Sequence, residues 1–288
     1  MVIIIKRIIE VIKYLLIGFI QGITEIFPIS SSGHLSLTYF VFNISNDNKL
    51  NLTVFLHFAS CLALIVFYKK DIINIVKGSY LYVLKKKENE KKHFLFLLYL
   101  IIATIPSILV GFFIKPLIEK TFNNIYFIAL GFLLTSIILL YKPKQILNST
   151  YTFKNTLLTG IFQSFALFPG LSRSGTTLFG SKIAKLDENN GKRFAFFLLL
   201  PISLGSFILS LFDISNITNS MVLLYSISFI SSFIATLISL KLFINRFNYK
   251  HNIFFSIYLW IVCFVIFLFL WYNNIKCWVW YFDIFFIV

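Results

Sequence analysis

Six stretches of this 288-residue chain, 50–68, 94–114, 121–141, 194–212, 217–240 and 252–272, contain no Lys, Arg, Asp or Glu. The hydrocarbon core of a bilayer is about 30 Å thick and takes about 20 apolar residues of helix to cross. Each stretch therefore has the length and composition of a crossing. A soluble fold is excluded, because 13% of residues are charged and 58% apolar, against roughly 25% and 45–50% in soluble domains. So few charges cannot solvate the surface of a globule this large.

The chain carries 26 basic and 11 acidic residues, a net charge of +15. The basic residues sit in short loops between the apolar stretches, where they orient helices by the positive-inside rule, so nucleic acid is not the expected partner. Residues 69–93 hold eight Lys and should face the cytoplasm. That places 115–120 outside, 142–154 inside, 213–216 outside and 241–251 inside, and these segments carry two, three, no and three basic residues. Cys61, Cys263 and Cys277 have neither CxxC spacing nor a His cluster nearby, which argues against disulfide or metal roles. Residues 1–13 lack a small-residue cleavage site and read as an interfacial amphipathic lead-in rather than a secretory signal.

Two further apolar stretches, 14–42 and 155–181, are interrupted by Pro, Gly and Ser and carry few charges; the first holds only Glu25 and the titratable His34, the second only Arg173. Irregular backbone at membrane depth is tolerated only where protein or a wet cavity surrounds it. At an offset of 142 residues the two align without gaps, Gln21 on Gln163, Ser30 on Ser172, Ser32 on Ser174 and Gly33 on Gly175, with Pro28 and Pro169 one step apart. Each is followed by three apolar stretches. An odd number of crossings lies between them, so two re-entrant hairpins would enter from opposite sides as an inverted repeat. The expected fold is all-α: one integral membrane domain over 1–288 with six transmembrane helices and two re-entrant helical hairpins, repeat one about 14–141 and repeat two about 155–272. A simple crossing at 14–42 would suit Lys6, Arg7 and Lys13 better and stays open.

Ionisable residues inside a membrane are costly and mark function by default, which singles out Glu25, His34 and Arg173; a purely structural Glu25–Arg173 pair is the alternative. Ser30, Ser31, Ser32 and Gly33 lie beside His34, and Ser172, Ser174, Gly175, Thr176 and Thr177 surround Arg173. Each cluster follows a Pro that breaks the preceding helix. Two new helix N-termini with free N–H groups, together with an Arg fork, would cradle phosphate. Ser31 needs a base to become a nucleophile, and His34 lies one helical turn away. Glu25 could orient that base or hold a divalent cation completed by substrate phosphate oxygens.

The runs QGITEIFPISSSGHL (21–35) and PGLSRSGTT (169–177) resemble the two signature motifs of the undecaprenyl-diphosphatase family, the bacitracin-resistance membrane phosphatases. Similarity continues at 55–72, 101–112 and 194–206, nearly the whole chain. The resemblance implies removal of one phosphate from undecaprenyl diphosphate to regenerate the lipid that carries cell-wall precursors, in the bacterial plasma membrane with the site open to the outer face. It implies Glu25 as the essential acid, Ser31 and His34 as nucleophile and acid/base, and Arg173 with Ser172, Ser174 and Thr177 on phosphate, joined by Ser30, Ser32, Gly33 and Gly175. Gln21, where the family often has a second acid, and His57 and Gln163 are expected behind these. A divalent cation, Mg²⁺ or Ca²⁺, is compatible, and no organic cofactor is expected. The rival reading is a transporter or flippase of an anionic prenyl phosphate, since broken helices in inverted repeats also build transporters. Oligomeric state, a homodimer included, is not legible in the sequence.

Overall fold

The computed structural model describes residues 2–44, 46–122, 124–142, 150–210 and 219–286. Among them are eleven α-helices and no β-strand. In hydrocarbon a helix satisfies its own backbone polar groups, so long charge-free runs fold this way. Among the described residues five helical stretches are long and apolar enough to cross a membrane: Lys49–Phe67, Glu88–Ile114, Glu188–Ser210, Met221–Arg246 and Tyr249–Tyr272. The chain is a multi-pass membrane protein. The remaining expected crossing, 121–141, is represented by α6 (Ile125–Leu139), which has 15 residues. That gives about 22 Å of helix. Asn124 starts it late, because its side chain accepts the Tyr126 N–H at 3.0 Å and caps a new helix.

The first interrupted stretch is α1 (Val2–Ile26), a break at Pro28, and α2 (Ser31–Val41). Residues 2–13, expected as a separate lead-in, are continuous with α1. The second is α7 (Phe153–Ser164), a 3₁₀ turn at Phe165–Leu167, and α8 (Arg173–Ile183). Between and after them run α3 (Asn46–Phe67), α4 (Lys69–Lys85), α5 (Lys91–Phe122), α9 (Glu188–Ser210), α10 (Asn219–Arg246) and α11 (Asn252–Phe286). The basic segment 69–93 is mostly the helix α4, held to α5 by Ile75, which is buried with Phe96 and Leu100. Asp71 pairs with Arg193 at 2.8 Å, whose guanidinium lies 5.3 Å over the Phe96 ring. Residues 143–149 and 213–216, which enter the charge comparison, and the Cys277 side chain lie outside what is described.

Packing repeats between the halves. α1 lies along α10 and α7 along α5, α3 meets α9, and α6 meets α11. Gly18 faces Ser228 and Gly22 faces Ser232, so α1 and α10 run the same way; Gly160 faces Ala103 and Gln163 faces Ser107, so α7 and α5 do too. Gly18 and Gly160 are 142 residues apart, and at each a Cβ would overlap a carbonyl oxygen of the neighbouring helix, Ser228 O and Ala103 O. Small residues at these crossings let backbones touch. Gly18→Val and Gly160→Val are each expected to destabilise the bundle by about 1–3 kcal/mol, read as a lower thermal midpoint of the detergent-solubilised protein; an unmoved midpoint in both contradicts the close approach.

Candidate active site

The two breaks build matching helix starts. Ser30 Oγ accepts the Gly33 N–H at 3.3 Å and Ser172 Oγ accepts the Gly175 N–H at 3.1 Å. The next hydroxyls repeat as well, Ser32 Oγ 3.4 Å from Ser30 Oγ and Ser174 Oγ 3.2 Å from Ser172 Oγ. Both helices thus present N-terminal amides and hydroxyls at the middle of the bundle. The starts meet where Ser174 Oγ donates to Phe27 O at 3.3 Å. Ser30 sits at φ 71°, a conformation that costs a non-glycine residue about 1–3 kcal/mol. Its surroundings fix it: its carbonyl takes both the His34 N–H at 3.2 Å and His34 Nδ1 at 2.8 Å.

The symmetry fails at the chemistry. Glu25, at the end of α1, is 4% exposed, and its Oε2 accepts from Ser31 Oγ at 2.6 Å, Gln21 Nε2 at 2.9 Å and His57 Nδ1 at 2.9 Å. Its Oε1 lies 3.8 Å from Arg173 Nη1. One carboxylate therefore gathers a serine, an amide and an imidazole from its own half and a guanidinium from the other. At the 142-residue offset Leu167 stands where Glu25 is, and Arg173 where Ser31 is. Buried charge is tolerated here because one oxygen takes the hydrogen bonds and the other faces the Arg173 guanidinium.

The two histidines lie differently from the spacing argument. Ser31 gives its hydroxyl hydrogen to Glu25, and the imidazole on that carboxylate is His57 from α3, which sequence placed behind the site. His34 points away along α2, its Nε2 2.8 Å from the Tyr258 hydroxyl. Thr177 Oγ1 is engaged with its own helix, donating to Arg173 O at 2.7 Å. Gln163 lies across the repeat, donating to Ser107 Oγ at 3.4 Å rather than to the Glu25 group. Gln21 and Gln163 each bury an Oε1 without a partner among the described residues.

Three neighbours were not singled out in the sequence. Ser203 of α9 accepts from Arg173 Nη1 at 3.2 Å. Thr135 of α6 receives the Ser172 N–H at 3.0 Å and donates to Gly170 O at 3.0 Å. Tyr258 is the third. Each lies in a predominantly apolar run, where hydroxyls routinely serve as helix-to-helix contacts, so nothing local marked them.

The model of the bacitracin resistance protein family BacA matches residues 14–265, which include both interrupted stretches and the Glu25 cluster. The chain belongs to the BacA family. Among its relatives, undecaprenyl-diphosphatase 1 of Halalkalibacterium halodurans is 39% identical over 257 residues, 87% of this chain and 93% of that one. Undecaprenyl-diphosphatase 1 of Bacillus cereus is 34% identical over 88% and 95%. Undecaprenyl-diphosphatase of Thermosipho africanus is 38% identical over 81% and 92%. The BacA match spans both motifs, 21–35 and 169–177.

Proposed function

We propose that the protein hydrolyses undecaprenyl diphosphate to undecaprenyl phosphate and inorganic phosphate, and that this recycling underlies bacitracin resistance. The observation that carries the reading is the Ser31 hydroxyl at 2.6 Å from a buried carboxylate, beside an arginine and two helix N-termini. An anionic site for an anionic substrate works only if donors outnumber acceptors. Here Arg173 and the amides and hydroxyls of both helix starts do so.

In the proposed step Ser31 Oγ attacks the terminal phosphorus and its proton passes to Glu25 Oε2. The P–O bond to the bridging oxygen breaks, and undecaprenyl phosphate departs with the electron pair. Water then cleaves the phosphoserine, releasing inorganic phosphate and restoring the serine. Such transfers need mainly positioning and charge stabilisation. Arg173 faces equatorial oxygens, Ser203 holds its guanidinium in place, and His57 keeps Glu25 oriented. Ser31 passes its proton to Glu25 and not to His34, whose ring nitrogens are engaged by the Ser30 carbonyl and the Tyr258 hydroxyl; His34 braces the start of α2 instead.

A divalent cation is tested by the donor set. No group of three His, Cys, Asp or Glu side chains gathers among the described residues. Glu25 and the unpartnered, buried Gln21 Oε1 fit an ion that takes its other ligands from phosphate and water. When bound, such an ion would neutralise phosphate charge.

The same reading places six crossings and two oppositely entering hairpins in the plasma membrane. The parallel pairs α1 with α10 and α7 with α5 support it, as does the lysine-rich α4 segment as the cytoplasmic side. The site then opens outward, with the prenyl chain among lipid-facing Phe and Ile side chains. The test is phosphate release from a prenyl diphosphate by purified protein, native against Ser31→Ala. Release by the native protein and none by the variant is expected; equal release rejects Ser31 as nucleophile. Lipid translocation without phosphate release would favour the flippase alternative.

A further inference from the structure

We propose that Tyr258 is a positioning residue for His34, holding its imidazole in one orientation and one hydrogen-bonding state from the opposite end of the chain. His34 Nδ1 lies 2.8 Å from the Ser30 carbonyl oxygen. A carbonyl only accepts, so Nδ1 carries the hydrogen and the neutral ring has its lone pair on Nε2. The atom facing that lone pair is the Tyr258 hydroxyl, at 2.8 Å. The two rings also stack, with centroids 5.6 Å apart and planes 10° from parallel. Phe132 of α6 closes the other side of the imidazole at 5.0 Å. Two hydrogen bonds and two ring contacts leave the side chain one available state.

Tyr258 can do this because α11 is pinned on both sides of it. Ser256 Oγ donates to Ser136 O at 2.9 Å, and the Cys263 thiol lies 3.4 Å from Ala129 O. α6 in turn holds α8, through Thr135 and the Ser172 N–H. The position of the imidazole is thus tied to the frame that seats Arg173. Around the ring, among the described residues, α11 supplies the titratable Tyr258, α6 supplies Phe132 and the break before α2 supplies the Ser30 carbonyl.

The kinetic half of the test rests on the phosphatase reading, while the spectroscopic half does not. Protein labelled with ¹⁵N-histidine is placed in bilayers without substrate, and the His34 resonances are those lost in His34→Gln. In Tyr258→Phe the ring contacts remain and the donor is gone, so the His34 Nε2 signal is expected to move downfield. The kcat for phosphate release should fall about tenfold, as for other groups that orient a functional imidazole, with KM changed by less than about twofold. In a His34→Gln background the second substitution should add nothing. An unmoved Nε2 signal, an unchanged kcat, or the same tenfold loss in both backgrounds overturns the proposal. If the native protein releases no phosphate, the phosphatase reading fails, and the resonance alone decides whether the phenol holds the imidazole.

Discussion

Glu25→Gln is expected to reduce phosphate release by about 10³-fold or more while leaving the protein soluble in detergent and monodisperse. The substitution keeps shape and removes charge. Oε2 accepts from three donors at 2.6 to 2.9 Å, and an amide nitrogen placed there would meet three donors with a fourth. The alternative amide orientation saves those bonds but still lacks the basicity to take the Ser31 proton. Loss of a general base alone costs about 10²–10⁴ in rate. Arg173 also loses the negative charge 3.8 Å away, so its guanidinium is no longer fixed. Glu25→Asp restores the charge but withdraws the carboxylate by one methylene, and should recover part of the loss. A Glu25→Gln variant within about tenfold of native, a small fraction of that range, would remove Glu25 from the mechanism.

Arg173→Lys is the second large effect, expected at about 10²-fold in kcat/KM. Charge is retained, so a purely electrostatic role predicts little change. The guanidinium, however, reaches Glu25 Oε1 and Ser203 Oγ from a single nitrogen and leaves its other donors for phosphate. An ammonium has neither the planar fork nor the reach to do both. Losing one preorganised donor to a developing oxyanion costs about 10²–10³. Steady-state rates on a prenyl diphosphate, with thermal midpoints to exclude unfolding, check the prediction; native kinetics for the lysine variant would reduce Arg173 to a counter-ion.

Much of this was legible in the sequence, for a reason particular to membranes. A chain that must bury every backbone group in hydrocarbon announces its departures from helix, so Pro28, Pro169 and the serines after them located both breaks, and the 142-residue offset reappeared as paired caps at Ser30 and Ser172. Glu25, Ser31 and Arg173 could be read because charge and hydroxyl clusters are scarce in such a chain. The histidines were harder. His34 is one turn from Ser31 along the helix, and that proximity in sequence suggested a pair. A side chain on a helix start can turn toward either flank, and here the Ser30 carbonyl and Tyr258 draw it outward. His57 lies 32 residues beyond Glu25, and only the packing of α3 on α1 brings it to the carboxylate. The segment 69–93 read as a loop by its lysines, although Ile72 and Ile75, three apart, already marked a helical face.

Leu167 has a wider meaning. A perfectly two-fold molecule with opposed hairpins would own a pair of identical mouths, one for each leaflet, and neither would be privileged. With Leu167 where the offset would put the acid, the two helix starts of this chain are chemically distinct. The repeat keeps its matching caps at Ser30 and Ser172 and carries its acid at one of them alone.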